Sequence, residues 1–241
     1  LAGGTITGGT ISADAGAGLE VMTAGRGQLS GVTLKTDVTV NDRALLTVQN
    51  GLTLADGHKV NLNGTSGHTV LSFEGDSQTL GGDGEIVFAG PFIDVVSANL
   101  NASQTLTIGS GVTVHTSAAG GQYSFIEANS TVINQGTIAA DAAGSRVNVT
   151  GNGLTNNGTL AVSNGGTLNL AGTHSTDQFG TLRNDGGTIV LSGTLENTGA
   201  ILDLNAVTGV LTLAGGTITG GTISANAGAG LEVMTAGRGQ L

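Results

Sequence analysis

The chain has 241 residues, among them 44 Gly, one Pro and no Cys, and only 2% of its residues are aromatic. Its net charge of −10, from 7 basic and 17 acidic residues, argues against nucleic acid and anionic membranes as partners, because both need clustered Lys and Arg. The lack of Cys excludes disulfides and thiolate metal sites. A hydrophobic content of 38% is too high for a disordered tract. No apolar run approaches the length of a membrane span, so membrane insertion is not expected.

One stretch of the sequence occurs twice. Residues 1–29 and 213–241 are identical except that Asp14 is replaced by Asn226. Near-identity over this length indicates duplicated sequence, which is typical of tandem arrays. We therefore predict one full repeat over residues 1–212 and the start of the next repeat over residues 213–241, continuous with the same structure. Adjacent copies of the repeat, stacked end to end, are then the expected partners.

Short alternations of apolar and polar residues recur along the whole chain. Each places two apolar side chains on one face and a polar one on the other, which is the pattern of a half-buried strand. In chain order, examples are Val38-Thr39-Val40, Leu52-Thr53-Leu54, Leu106-Thr107-Ile108, Leu168-Asn169-Leu170 and Leu211-Thr212-Leu213. Gly, Asn, Asp and Ser separate them, so the sequence predicts many short strands joined by tight corners.

The predicted strands recur at a regular spacing. The stretch that begins at Gly165 returns at Gly186, and such matches are about 20 to 22 residues apart, the length of one coil of a solenoid with three short strands. The sequence therefore predicts an all-β, right-handed parallel β-helix with about 10 coils per repeat, which would rise roughly 48 Å. We further expect each repeat to contain a whole number of coils, so that inward faces stay aligned between copies.

Three Asn-x-Gly sequences are the predicted corners of the coils. Gly allows the close approach of neighbouring backbones, and Asn tolerates unusual backbone angles and hydrogen-bonds nearby main chain. Because coils stack, equivalent Asn residues are expected to lie above one another. The corners are Asn134 with Gly136, Asn156 with Gly158, and Asn197 with Gly199.

The stretch from about residue 69 to residue 123 is the least regular. It contains Phe73, Phe88, Phe92 and the only proline, Pro91. We expect a loop or a wider coil here, and we place any specialised surface of the chain in this stretch.

These motifs resemble a known family. The Asn-x-Gly-Thr-Ile corners, the Gly-Gly-Thr-Leu-x-Leu strands and the paired Ser-Gln-Thr-Leu segments at 77–80 and 103–106 resemble the β-helical regions of filamentous haemagglutinins and autotransporter adhesins. The resemblance covers essentially the whole chain and implies an exported bacterial protein at the cell surface, with roles in adhesion, aggregation and reach. No part of these residues resembles the secretion domain of that family.

Candidate chemistry is sparse. The densest acids are Asp76, Asp83, Glu85 and Asp94, which a polysaccharide-active β-helix could use with calcium, but the basic residues that such an enzyme needs are scattered. Residues 80–86 hold one imperfect copy of a calcium-binding nonapeptide, a motif that functions only when it recurs on adjacent turns.

Other polar residues are expected on the surface. The four histidines have no paired spacing, and five Asn-x-Ser/Thr sequons are open as glycosylation sites. The histidines are His58, His68, His115 and His174, and the sequons begin at Asn63, Asn101, Asn129, Asn148 and Asn157.

The sequence thus predicts a non-enzymatic structural segment, a stalk or filament of a large secreted surface adhesin, with no cofactor or metal. Two alternatives remain open: a repeat that itself binds a carbohydrate or receptor on a host or neighbouring cell, and a polysaccharide-active enzyme that depends on Asp83 or Asp94. Aromatic side chains in a groove would favour the first alternative, and their low number counts against it.

Overall fold

A computed structural model describes residues 1–14, 16–55, 57–118 and 120–234. These residues form short β-strands and one 3₁₀ turn at Thr176–Gln178. Residues 235–241, the end of the second copy of the duplicated stretch, lie outside the described residues. None of the helical structure described is long and apolar enough to cross a membrane.

The described strands are short and follow one another closely. In the first part of the chain they are β1 (Thr5–Thr7), β2 (Thr10–Ser12), β3 (Leu19–Val21), β4 (Arg26–Lys35), β5 (Val38–Val40), β6 (Leu45–Leu54), β7 (Lys59–Leu62), β8 (Thr69–Gly75), β9 (Gln78–Gly82) and β10 (Glu85–Phe88). The middle strands are β11 (Ile93–Leu100), β12 (Thr105–Ile108), β13 (Thr113–Thr116), β14 (Tyr123–Ala128), β15 (Thr131–Asn134), β16 (Thr137–Ala140), β17 (Arg146–Gly151), β18 (Leu154–Asn156), β19 (Thr159–Ser163) and β20 (Thr167–Leu170). The last are β21 (Thr173–Ser175), β22 (Thr181–Asp185), β23 (Thr188–Leu191), β24 (Thr194–Glu196), β25 (Ile201–Leu204), β26 (Val210–Ala214), β27 (Thr217–Thr219), β28 (Thr222–Ala225) and β29 (Gly230–Met234).

The chain winds through three faces in every coil, and each strand pairs in parallel with strands one coil away. The first face contains β1, the first halves of β4 and β6, then β8, β11, β14, β17, β20, β23, β26 and β29. The second face contains β2, the second halves of β4 and β6, then β9, β12, β15, β18, β21, β24 and β27. The third contains β3, β5, β7, β10, β13, β16, β19, β22, β25 and β28. The predicted fold class, an all-β parallel β-solenoid with three short strands per coil, is confirmed.

Inward side chains form columns along the solenoid. On the third face, Val60 lies opposite Ile86, Ile86 opposite Val114, and Val114 opposite Ile138, and all four are fully buried. Their neighbours along each strand point outward, so the alternation of apolar and polar residues in the sequence decides which side of each strand faces the core. At about 1.5–3 kcal/mol for each fully buried aliphatic side chain, these columns are a major source of stability.

The coils differ in length more than the sequence period predicts. There are about 10 coils with roughly 23 residues each. On the first face, Leu29 pairs with Val48 in the next coil, whereas Val96 pairs with Ile126, so the second of these coils is much the longer. The longest coils lie in the irregular stretch, as expected. Their extra residues lengthen the corners, and Phe73 and Phe88, both fully buried, fill the interior there.

Only the first face is a continuous ladder over the described chain. In the second face no ladder joins β18 to β21, and in the third none joins β22 to β25, within the residues that the structure describes. The 3₁₀ turn lies at the first of these breaks. At the second, a groove of about 420 Å³ is lined by Phe179, Leu182 and Ile201, among others.

The expectation that a repeat contains a whole number of coils is wrong. Thr5–Thr7 lies on the first face, where it pairs with β4, but the same sequence at Thr217–Thr219 lies on the second face, where it pairs with β24. The distance from one copy to the next therefore spans nine coils and one further face. The shortfall from the ten predicted coils comes from the wide coils on either side of β11, because each of them uses more residues than a constant period allows.

Candidate functional site

Two of the predicted Asn corners form a buried ladder on the second face. Asn134 Nδ2 donates to Asn156 Oδ1 at 2.6 Å, and both side chains are at most 1% exposed. Each Oδ1 accepts from the backbone N–H two residues later, that of Gly136 or Gly158, at 3.2 and 3.3 Å. Because every buried amide atom here has a partner, the ladder satisfies polar groups that would otherwise be costly inside the core.

The third predicted corner lies apart from this ladder. Asn156 Nδ2 donates to the carbonyl oxygen of Phe179 at 2.6 Å, so the backbone after the 3₁₀ turn takes the place of a further Asn. Asn197 is also fully buried. Its Nδ2 donates to the carbonyl of Thr222 at 3.0 Å, and its Oδ1 accepts from the Thr176 hydroxyl at 2.7 Å.

The corner glycines are required for two different reasons. A Cβ on Gly136 would lie 2.2 Å from the carbonyl oxygen of Val112, and one on Gly158 would lie 2.1 Å from that of Gly136, so these two positions need glycine because stacked backbones touch. Gly199 has open space around it but a φ of +75°, so it needs glycine for its backbone angle. All of these corner residues serve the packing of coils.

The acidic residues of the irregular stretch do not converge on one site. Asp94 points into the solenoid and is fully buried, whereas Glu85 lies on the outside of the third face beside Lys59 and His115. Asp83 accepts from the Gly57 N–H at 3.4 Å. Among the described residues, no group of three or more His, Asp or Glu is placed to hold a metal ion.

Two of the three glycines of the nonapeptide-like sequence, Gly82 and Gly84, have a structural explanation. A Cβ on Gly82 would lie 1.9 Å from the carbonyl oxygen of Leu54, and one on Gly84 would lie 2.1 Å from that of His58. Leu80, at the start of this sequence, is fully buried. Close contact with the preceding coil therefore accounts for these residues without a cation.

Asp94 is the most unusual ionisable group of the interior. Its two carboxylate oxygens accept from the backbone N–H groups of Gly64 and Gly90 at 2.8 and 2.9 Å. Burial nevertheless dominates and raises the pKa of Asp94 to about 7. Asp42 is the opposite case, because hydrogen bonds from Ser66 and its neighbours hold its pKa well below the usual range.

Three of the four histidines are partly or well exposed, and the fourth is not. His115 lies between Asp141, 2.9 Å from its Nδ1, and Glu85, 3.5 Å from its Nε2, and the hydrogen bond with Asp141 raises its pKa. His174 is only 3% exposed and packs against Phe179, so the expectation of a surface role is wrong for it. Burial lowers the pKa of His174.

The sequons differ in accessibility. The Asn residues at 101, 129 and 157 are exposed, and Asn63 is half-buried. Asn148 is only 7% exposed, and its Oδ1 accepts from Arg146 and Asn169. Asn148 therefore has a structural role within the outer surface of the first face.

An apolar strip on the outside of the first face is the feature that sequence reasoning missed. Val70 lies opposite Val95, and Val95 opposite Phe125, while the next outward position pairs Ile93 with Tyr123. Tyr123 is 57% exposed, and Phe92, which directly precedes Ile93, is 38% exposed. We call Val70, Phe92, Ile93, Val95, Tyr123 and Phe125 the outer strip.

The outer strip gathers most of the aromatic rings that are not in the core. Phe73 and Phe88 are fully buried, whereas Phe92, Tyr123 and Phe125 come together although they are far apart in the sequence. The signal in the sequence is the segment Ile93-Asp94-Val95-Val96. Its outward residues, Ile93 and Val95, are apolar, whereas a half-buried strand would have polar residues on its outward side. Val95 is only 5% exposed, so Phe92 and Tyr123 supply most of the exposed apolar surface of the strip, and exposed apolar surface is a common mark of a binding site.

Comparison with protein-family models, with curated proteins and with solved structures found no match.

We predict that the Asp94 carboxyl titrates near pH 7. The raised pKa means that the folded state retains a proton that the unfolded state loses near pH 3.8, so the Asp94 contribution makes the free energy of unfolding fall as the pH rises from about 4 to about 7. Carboxyl-carbon NMR on the whole chain measures the midpoint directly. Asp42 is the internal control and should remain ionised throughout this range, and an Asp94 midpoint near 4 would contradict the prediction.

Proposed function

We propose that this chain is a rigid spacer, a stalk or filament segment of a large bacterial adhesin that is secreted to the cell surface. The observation that supports this most is the unbroken first face. Its ladder runs from β1 to β29, through all the described coils, so hydrogen bonds lie along the axis of the solenoid over its whole length. A structure with this geometry resists bending and holds the parts at its two ends a fixed distance apart.

The duplicated sequence supports the same proposal. The second copy continues the solenoid through β27, β28 and β29 without a change of fold. Because the duplicated sequence forms further coils of the same solenoid, adjacent copies of the repeat are the natural partners in an array.

The resemblance to haemagglutinin-like adhesins supports the proposed location. The composition has no Cys and few charges, and the outer surface is rich in Thr, Ser and Asn. The spacer would carry a terminal binding part away from the cell and contribute to contact between cells.

Electron microscopy of chains with one, two and three tandem copies tests the spacer proposal. With strands about 4.8 Å apart, each added copy of nine and one-third coils should lengthen a straight rod by about 45 Å. The same pattern of narrow and wide coils should recur in every copy, because every copy continues the same three faces. Separate globules joined by flexible links would overturn the proposal, since each copy would then be a closed domain.

A second candidate function is glycan binding by each repeat, and the outer strip favours it. Tyr123, at the start of β14, and Phe92, just before β11, offer exposed rings, and such rings stack on the apolar faces of sugars. Because the chain is acidic overall, a neutral sugar suits this surface better than an acidic one.

Binding of the whole chain to an array of immobilised glycans tests this second function. Tyr123→Ala should abolish retention of any neutral glycan that the native chain retains, because it removes the most exposed ring of the outer strip. Ile201→Ala is the matched control, since Ile201 is 64% exposed on the third face. No retention by the native chain, or equal loss in both variants, would exclude the outer strip as a sugar site.

A further inference from the structure

The duplicated stretch occupies different faces in its two copies. In the first copy, Thr5–Thr7 pairs with Gln28–Ser30 on the first face. In the second, Thr217–Thr219 pairs with Thr194–Glu196 on the second face. An identical sequence therefore adopts an identical type of strand at two positions around the axis.

The strands of the stretch that are described in both copies all shift in the same direction by the same amount. The second strand lies on the second face at Thr10–Ser12 and on the third at Thr222–Ala225. The third strand lies on the third face at Leu19–Val21 and returns to the first within Gly230–Met234. The shift is thus shared by three consecutive strands and is not due to one misplaced strand.

The sequence of the stretch explains why it fits more than one face. Two of its strands have a single apolar residue between Thr or Ser, as in Thr5-Ile6-Thr7 and Thr10-Ile11-Ser12. Gly8 and Gly9 join them with φ of +65° and +77°, and their equivalents Gly220 and Gly221 keep φ of +69° and +66° on the other face. A short strand that has one inward side chain and is followed by a glycine corner can therefore fit on any of the three faces.

We propose that consecutive copies in the array are rotated by one face, a third of a turn, about the solenoid axis. This inference rests on the proposed spacer function, because it concerns how one copy continues into the next. At nine and one-third coils per copy, three copies make 28 coils and rise by about 134 Å. Only after these three copies do equivalent residues return to the same side of the rod.

The rotation has a consequence for what the array displays. The outer strip lies on the first face in this copy, and the same residues would lie on the second face in the next copy and on the third in the one after, so consecutive strips would point in three directions around the rod. A rod with a whole number of coils would instead line them up along one side. The array would therefore offer its strips to a surface approaching from any direction, at a spacing of about 45 Å along the axis.

Paired cysteines in the single chain test the shift itself, independently of the array. The native chain has no cysteine, and parallel register partners lie within the distance that a disulfide spans. Glu196→Cys with Thr219→Cys places both thiols outside the second face, and mild oxidation should give near-complete disulfide formation by mass spectrometry. Thr10→Cys with Thr33→Cys, partners in the first copy, is the positive control.

The opposing pair is Val190→Cys with Thr219→Cys. Val190 is the outward residue of β23 on the first face, where a whole number of coils would place the second copy. Disulfide formation here, with its loss in the 196/219 pair, would overturn the inference, and a circular-dichroism spectrum typical of β-structure would show that both variants fold.

Cryo-electron microscopy of a three-copy chain tests the consequence for the array. Gold coupled through Tyr123→Cys in each copy should appear on three sides of the rod in succession. Gold particles along one side would overturn the proposed rotation while leaving the spacer function standing. Flexible globules would remove the spacer function, and the disulfide result in the single chain would still decide whether the shift exists.

Discussion

The structure depends on one constraint: inward side chains must lie directly above one another while the hydrogen-bond ladder runs along the axis. The column that contains Val60, Ile86, Val114 and Ile138 shows how strict this is. A slip of one residue in any strand would turn its apolar side chains to solvent and its polar ones inward. Each coil therefore fixes the register of the next, and rigidity along the axis follows from the same contacts that hold the core together.

The corners can vary in length, because the number of residues between two strands does not affect the alignment of the inward side chains. Adding residues to a surface loop costs little entropy, so the short coil from Leu29 to Val48 and the long one from Val96 to Ile126 coexist in one solenoid. This freedom produces the two features that matter most for function. The wide coil places Ile93 opposite Tyr123 in the outer strip on the first face, and the summed coil lengths rotate the second copy of the duplicated stretch by one face.

Much of the fold could be predicted from the sequence because the strands and corners are determined by patterns within a few consecutive residues. Alternation within a few residues marks each strand, and Asn134 and Asn156 mark corners through bonds to glycines two residues away. The missed features all depend on which residues the next coil brings alongside. Asp94 resembles a surface acid in the sequence, but its strand position turns it inward, and His174 is buried against Phe179 by the turn that interrupts the second face. The outer strip likewise joins residues that only the wide coils bring together.

The most direct test of this account is a disulfide across the widest coil. Ser97 and Glu127 are outward register partners, whereas a constant coil length near that of the sequence period would place Ala118 opposite Ser97. If inward columns set the register, Ser97→Cys with Glu127→Cys should oxidise to a disulfide in the folded chain and Ser97→Cys with Ala118→Cys should not. The reverse result would mean that sequence period, and not the alignment of inward side chains, determines how the coils stack.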